Sequence, residues 1–120
     1  MTKILIAEDD QFISNAYRVK FEKEGFEVLI AGDGEEAIQN LDTFKPDLII
    51  LDLVMPKKDG FATLAEIKSS PSFANIPVIV TSNLSQATDF DKAKSLGAVE
   101  YLVKSETPIG EIVNKIRTYI

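Results

Sequence analysis

The stretch Asp47–Gly60 (DLIILDLVMPKKDG) places a single carboxylate, Asp52, directly after the continuous apolar run Leu48–Leu51. A short apolar run bounded by turn residues predicts a strand that is buried on both faces of a sheet. A charged side chain rarely lies at such a place without a partner or a function. In open parallel sheets, ligands bind beyond the carboxyl ends of the strands. We therefore expect Asp52 to lie at the mouth of a functional crevice.

Five segments have the composition of strands, and they alternate with segments of helical periodicity. The predicted strands cover residues 3–7, 26–31, 47–51, 78–81 and 99–103. The first, third and fourth are apolar runs and belong in the middle of a sheet, whereas the second and fifth are mixed and belong at its edges. The alternation predicts right-handed crossovers with helices on both faces. We predict an α/β fold with a doubly wound, five-stranded parallel sheet of order 2-1-3-4-5, a flavodoxin-like (βα)5 arrangement.

Capping residues set the expected limits of five helices. Asp59, Ser85 and Thr107 are the predicted N-caps of the third, fourth and fifth helices, and a proline follows Thr107 at the expected first helical position. Gly25 and Gly97 are expected to end the first and fourth helices. A single short helix is expected over residues 34–41. In the first helix, apolar residues recur at helical spacing at Phe12, Ile13, Ala16, Tyr17 and Val19. In the second helix we expect Ala37, Ile38 and Leu41 to face inward, and in the fourth we expect Phe90, Ala93 and Leu96 to be buried. The apolar side of the third helix is Phe61, Leu64 and Ile67, and that of the fifth is Ile109, Ile112, Val113 and Ile116.

The composition limits the chemistry that the chain can perform. Its 120 residues, 45% hydrophobic and 27% charged, suit one globular domain over residues 1–120. Cysteine and histidine are absent, which leaves carboxylates, hydroxyls, lysines and the backbone. A net charge of −6 without a basic cluster disfavours binding to nucleic acid or to an anionic membrane. No signal peptide or bilayer-spanning stretch is present, so we expect a cytoplasmic protein.

The polar residues that follow the strands should meet at one edge of the sheet. They are Glu8, Asp9 and Asp10 after the first strand, Asp52 after the third, Thr81 and Ser82 after the fourth, and Lys104 after the fifth. Clustered carboxylates repel one another unless a cation lies between them. Oxygen ligands without histidine or cysteine select Mg²⁺ or Mn²⁺. The candidate ligands are Asp9, Asp52 and the backbone carbonyl of Val54.

Asp52 is also a candidate nucleophile, since aspartate attacks phosphorus to give an acyl phosphate in some enzymes. A bound divalent cation would offset charge on the transferred phosphoryl group. Lys104 would supply a second cation, and Ser82 a hydroxyl donor to another phosphoryl oxygen. The spacing back from Lys104 fits Ser82 better than Thr81, whose side chain we expect in the core.

Over essentially its whole length the chain resembles the receiver domain of two-component response regulators. The resemblance rests on four elements in order: the acidic pair Glu8-Asp9, the string Asp52-Leu53-Val54-Met55-Pro56-x-x-Asp59-Gly60, the hydroxyl after the fourth strand, and Lys104 after the fifth. It implies that Asp52 accepts a phosphoryl group from a phosphohistidine on a partner sensor kinase or phosphotransferase. It also implies that Asp9, helped by Glu8, holds Mg²⁺ and that Lys104 pairs with the phosphoryl group.

The resemblance further implies a phosphorylation switch in a phosphorelay rather than a turnover enzyme. Ser82 would move toward the phosphoryl group and Tyr101 would turn inward behind it. The surface of the fourth helix, fifth strand and fifth helix would then change, to be read by a downstream effector, an attached output domain or a second protomer in a homodimer. The sequence does not identify the kinase, the output partner or the oligomeric state, nor whether the chain stands alone or was cut from a longer regulator.

Two positions depart from the usual pattern of the family. Lys104 precedes Ser105 where the family usually has proline, which leaves a cis or a trans peptide open, and a cis bond before a non-proline residue costs about 2.5–4 kcal/mol. The positions two beyond Asp52 and Ser82 are Val54 and Leu84, neither of which can orient a hydrolytic water. We therefore expect slow self-dephosphorylation.

Rival interpretations exist for these residues. Taken singly, Glu8-Asp9-Asp10 could be a solvated turn, Ser82 a loop hydroxyl, and Tyr101 an edge-strand aromatic. A flavin-binding domain would share the fold, but the acidic pair would repel a flavin phosphate. An aspartate-based hydrolase would need a second acid at the position of Val54. A receiver used only for docking would lack Asp52 or Lys104.

Overall fold

Five parallel strands form one sheet in the order β2-β1-β3-β4-β5 in a computed structural model that describes all 120 residues. The strands are β1 (Lys3–Ala7), β2 (Glu27–Ala31), β3 (Leu48–Leu51), β4 (Val78–Ser82) and β5 (Glu100–Val103). The predicted fold class and strand order are confirmed, and each strand begins and ends within one residue of its predicted limits. The apolar runs occupy the centre of the sheet, and the mixed strands β2 and β5 form its edges.

The helices fill both faces of the sheet. They are α1 (Gln11–Lys23), α2 (Gly34–Gln39), α3 (Leu41–Phe44), α4 (Gly60–Ser69), α5 (Ala87–Ser95) and α6 (Ile109–Tyr119). The single helix predicted over residues 34–41 is wrong, because Asn40 divides it. The Asn40 side-chain amide donates to the Glu36 carbonyl at 2.8 Å, and asparagine competes in this way with continued helical hydrogen bonding. No helix is both long enough and apolar enough to cross a membrane.

The predicted caps are partly confirmed. Asp59 caps α4, and its Oδ1 accepts from the Ala62 amide at 2.8 Å. Ser85 is not the cap of α5, because the helix begins after Gln86. The backbone N–H of Gln86 donates to Asp89 Oδ2 at 3.2 Å. Thr107 is not the cap of α6 either. Its hydroxyl donates to the Val103 carbonyl at 2.8 Å, so the role passes to the following proline.

Successive side chains of each strand point to opposite faces of the sheet, and both faces are buried because helices cover both. One layer, against α2–α5, includes Leu5, Leu51, Val80, Leu64 and Ile67, and the other, against α1 and α6, includes Ile4, Ile50, Ile79, Phe21 and Ile116. Helix α1 buries Ser14, Tyr17 and Phe21, which form one face at i, i+3 and i+7. Phe12 and Val19 share the helical spacing of the apolar residues but lie off this face, with 90% and 56% of their surface exposed.

Candidate functional site

The register of the sheet brings the first and third strand ends together. Ala7 pairs with Leu51, so Glu8 and Asp52 follow side by side at the carboxyl edge. The backbone continues the ladder by one step, since the Asp52 amide donates to the Ala7 carbonyl at 3.0 Å. Ser82 pairs with Val103 on the other side of the sheet, which places Lys104 directly beyond the same edge.

Three carboxylates meet at this edge. Oxygen atoms of Glu8, Asp9 and Asp52 all lie within 4.8 Å of one another, with Glu8 and Asp52 buried and Asp9 exposed. Burial raises the pKa of Glu8 from 4.5 to about 7. The hydrogen bond to Lys104 offsets only part of this rise, and the charge of Asp52 adds to it. This oxygen-only group, open to solvent on the Asp9 side, suits a hard divalent cation.

Lys104 lies against the same carboxylates. Its Nζ is 3.2 Å from Asp52 Oδ2 and forms a close ion pair with Glu8, while only 11% of its side chain is exposed. Burial alone would lower the pKa of the ammonium, but the hydrogen bond to Glu8 and the charge of Asp52 raise it overall. The sequence placed Lys104 beside Asp52 but did not reveal the pairing with Glu8. No local signal could have shown it, since the two residues lie 96 positions apart.

Ser82 and Tyr101 both bond to the backbone of Leu84, just after β4. The buried Ser82 hydroxyl oxygen accepts from the Leu84 amide at 3.2 Å, and the Tyr101 hydroxyl donates to the Leu84 carbonyl at 2.7 Å. The Tyr101 ring packs edge-on against Phe90, with centroids 4.5 Å apart. The prediction that Phe90 is buried is wrong, since the residue is 38% exposed and lies beside this ring rather than in the core. Thr81 is buried in the sheet, as expected for a core residue. The residues proposed for switching are therefore joined through one loop, although their switching roles stay a prediction.

The loop after Asp52 closes tightly on itself. The Gly60 amide donates to the Leu53 carbonyl at 2.9 Å. A Cβ added to Gly60 would lie 2.2 Å from the Asp52 carbonyl oxygen, so only glycine fits there. Val54, on this loop, is 62% exposed, and its amide lies 3.4 Å from Asp52 Oδ1. The sequence motif contained Gly60, but the reason for that glycine emerges only from the approach of two backbone segments.

The peptide after Lys104 is trans, as are all others in the chain. Residues Lys104–Glu106 form a short 3₁₀ turn, and the Ser105 amide donates to Asn83 Oδ1 at 2.9 Å. This bond joins the loops after β4 and β5.

The position of Val54 holds no acid, which disfavours the aspartate-based hydrolase, and the acidic trio disfavours a bound flavin phosphate.

The doubly wound sheet, with an acidic trio and a lysine at its carboxyl edge, defines the class of receiver-type α/β domains. The chain belongs to the response regulator receiver domain family, which it matches over residues 4–117. It is 37% identical over 120 residues to the transcriptional regulatory protein CpxR of Klebsiella pneumoniae, covering 100% of this chain and 50% of that protein. It is 38% identical over 103 residues to the transcriptional regulatory protein PdtaR of Mycobacterium tuberculosis, covering 85% of this chain and 49% of that protein. The chain thus spans about half the length of these curated relatives.

Solved structures of other response regulators share the fold. The receiver domain of the Francisella response regulator 1452 superposes with a TM-score of 0.92 at 30% identity, covering 99% of this chain and 96% of that one. The Mn²⁺-bound form of response regulator Rcp1 superposes with a TM-score of 0.86 at 31% identity, covering 99% of this chain and 94% of that one.

Proposed function

We propose that residues 1–120 form one phosphoacceptor domain, in which Asp52 takes a phosphoryl group from a phosphohistidine of a partner sensor kinase or phosphotransferase. The observation that carries the proposal is the position of Asp52, buried between the Lys104 ammonium at 3.2 Å and the carboxylates of Glu8 and Asp9. An Asp52 oxygen attacks phosphorus, the phosphorus–nitrogen bond breaks, and the imidazole leaves with the electron pair and takes up a proton.

Glu8, Asp9, Asp52 and the Val54 carbonyl would hold Mg²⁺ or Mn²⁺. The close grouping of the three carboxylates supports this ligand set. The related regulator Rcp1 has been solved in a Mn²⁺-bound form, which supports a divalent cation as the cofactor. Such a cation supplies positive charge that offsets the charge of the transferred phosphoryl group.

Lys104 and Ser82 take the roles of charge partner and hydrogen-bond donor to the phosphoryl oxygens. Lys104 already contacts Asp52 and needs little movement to follow the new group. The Ser82 oxygen accepts a bond from Leu84, which leaves the hydroxyl hydrogen free to donate. A phosphoryl group that draws Ser82 toward itself would pull on the Leu84 backbone, to which Tyr101 is also bonded. The change would therefore pass to α5, β5 and α6 and be read by an effector, an attached output domain or a second protomer.

The surface beside the site favours a protein as phosphodonor. Phe12 is 90% exposed and borders a groove between α1 and the loop before α6, which Tyr17 and Lys104 also line. An exposed phenylalanine next to a reactive group suits a partner surface, because burying it on association removes apolar area from water. Lys104 lines this groove and also contacts Asp52, so a partner docked in the groove would lie next to the phosphoacceptor.

The test is Mg²⁺-dependent uptake of a phosphoryl group from acetyl phosphate, followed by intact-protein mass, with size-exclusion chromatography before and after. Wild type should gain one phosphoryl group only when Mg²⁺ is present, and Asp52→Asn should gain none. Asp59→Asn is the matched control, since asparagine also caps a helix and this acid is outside the trio. Labelling of Asp52→Asn at the wild-type level would remove Asp52 from its proposed role.

A further inference from the structure

Lys57, in the loop between β3 and α4, has an unusual backbone conformation. Its φ is 65°, a region that residues other than glycine seldom adopt. The Lys58 amide donates to the Pro56 carbonyl at 2.8 Å, which closes a three-residue γ-turn around Lys57. Turns of this hand are rare and strained, and they persist only where the surroundings hold them. The same loop carries the Val54 carbonyl, so its conformation bears on the acidic site.

An ion pair from the neighbouring βα unit holds the side chain of Lys57. Its Nζ lies 3.6 Å from Oδ2 of Asp33, whose side chain is only 12% exposed. The other oxygen of Asp33 accepts from the Glu36 amide at 2.8 Å, as the N-cap of α2. The carboxylate is thus fixed by its own helix before it meets the lysine, and less entropy is lost when the pair forms.

A second contact brings α2 against the same loop. A Cβ built on Gly34, the residue after Asp33, would lie 2.5 Å from the Lys58 carbonyl oxygen and 2.1 Å from Oγ1 of Thr63. The first turn of α2 therefore lies directly against the residue that closes the γ-turn. This approach is a contact of backbone with backbone, independent of the ion pair.

We propose that Asp33 is a positioning residue for the cation site: through Lys57 it holds the loop 53–60 in the conformation that presents the Val54 carbonyl to a divalent cation. The inference rests on the proposed function, because it assumes that Val54 contributes a ligand. Lys57 is 64% exposed, so the pair is a weak one. Its loss should weaken Mg²⁺ binding by about three- to fivefold.

Replacement of Lys57 tests the proposal through the direction in which the Mg²⁺ affinity changes. Without positioning, loss of a positive charge near an acidic site should tighten cation binding. Positioning predicts the opposite, so Lys57→Met should bind Mg²⁺ about three- to fivefold more weakly by isothermal titration calorimetry. Lys58→Met is the matched control. It removes the same charge at the next residue, but Lys58 pairs with Glu66 and not with Asp33. It should bind Mg²⁺ as tightly as wild type or more tightly.

The partner residue completes a double-mutant cycle. Asp33→Asn keeps a capping side chain but loses the charge, and it should weaken binding about as much as Lys57→Met does. The double variant has the wild-type net charge, and its affinity should equal that of either single variant, because one interaction is lost in all three. Additive effects of the two changes would overturn the proposal, as would tighter or unchanged binding by Lys57→Met.

Amide exchange of Lys58 in the metal-free protein gives a readout that does not depend on the cation. The backbone amide of residue 58 closes the γ-turn. Its exchange, followed by NMR, should be faster in Asp33→Asn and Lys57→Met than in wild type, but not in Lys58→Met. Unchanged exchange in the first two variants would show that Asp33 does not hold the turn. A wild type that binds no Mg²⁺ would instead refute the proposed function, while the exchange rates would still decide whether Asp33 positions the loop.

Discussion

Replacement of Lys104 by methionine should destabilise the metal-free protein strongly. Lys104 is the ammonium paired with both Glu8 and Asp52, and the three side chains are 11%, 2% and 7% exposed. Methionine fills a similar volume but leaves the two buried carboxylates facing each other without a cation. Breaking a buried ion pair by removing one partner costs about 3–5 kcal/mol, because the remaining charge stays buried.

The expected shift in melting temperature follows from the size of the domain. An unfolding entropy of about 2.1 cal/mol/K per residue converts 1 kcal/mol into about 4 °C for a chain of this length. Lys104→Met should therefore melt about 12–20 °C below wild type in EDTA at pH 8, where Glu8 is ionised in wild type. Lys58→Met is the control, since its partner Glu66 is 45% exposed and pairs of this kind contribute less than about 1 kcal/mol.

Added Mg²⁺ should recover part of the loss in Lys104→Met. Binding at a hundred times the dissociation constant adds about 2.7 kcal/mol of stability, or about 11 °C here. The gain should exceed that of wild type at equal Mg²⁺, because Lys104 no longer competes for Glu8 and Asp52. Differential scanning calorimetry measures both shifts. If Lys104→Met melted within about 4 °C of wild type in EDTA, the ion pairs of Lys104 would not be what offsets the free-energy cost of burying Glu8 and Asp52.

Three further predictions follow from the same geometry. Burial raises the pKa of Glu8 above its unfolded value of 4.5 to about 7, so folded protein holds a proton that the unfolded chain has released. The free energy of unfolding of the metal-free protein should thus fall as pH rises from 4.5 to 7, by at most about 3 kcal/mol, and chemical denaturation of Glu8→Gln should show a flatter profile. Gly60→Ala should lose about 1–3 kcal/mol or more through collision with backbone, whereas Gly110→Ala, with open space around it, should gain about 0.5–1 kcal/mol. Because Val54 and Leu84 cannot orient water, the phosphorylated domain should keep its label for minutes or longer without a phosphatase. A half-life of seconds by phosphate release would contradict that expectation.

The fold was predictable because its signals are local. The central strands are apolar runs of four or five residues, and their alternation with helical spacing allows few topologies. The wrong predictions of helix limits concern residues whose side chains have more than one possible hydrogen-bond partner. Asn40 bonds back to Glu36 and divides a helix, and Thr107 bonds to Val103 instead of capping α6. Such choices depend on hydrogen-bond geometry that residue type alone does not fix.

The members of the candidate site were predictable for a different reason. The carboxyl ends of parallel strands meet at one edge, so the residues after β1, β3, β4 and β5 had to lie near one another. What the sequence could not give is how these groups pair. Lys104 meets Glu8 as well as Asp52, and the choice depends on side-chain rotamers and burial at strand ends far apart in the chain. The ion pair of Asp33 with Lys57 depends in the same way on the approach of α2 to the loop.

The charges at the edge suit both the buried lysine and the proposed cation site. With Glu8 ionised, the three carboxylates and the Lys104 ammonium leave two negative charges in a partly buried place. That excess equals the charge of one divalent cation, so the site is acidic enough to attract the cation but has an internal partner that keeps the metal-free fold stable. A lysine-free trio would bind the cation more tightly and fold less well without it, whereas a second lysine would remove the attraction. A phosphoryl group on Asp52 adds further negative charge, and Lys104, already beside Asp52, would give up Glu8 to face it. If the proposed function holds, the exchange of Lys104 between two acids would couple phosphorylation to cation binding.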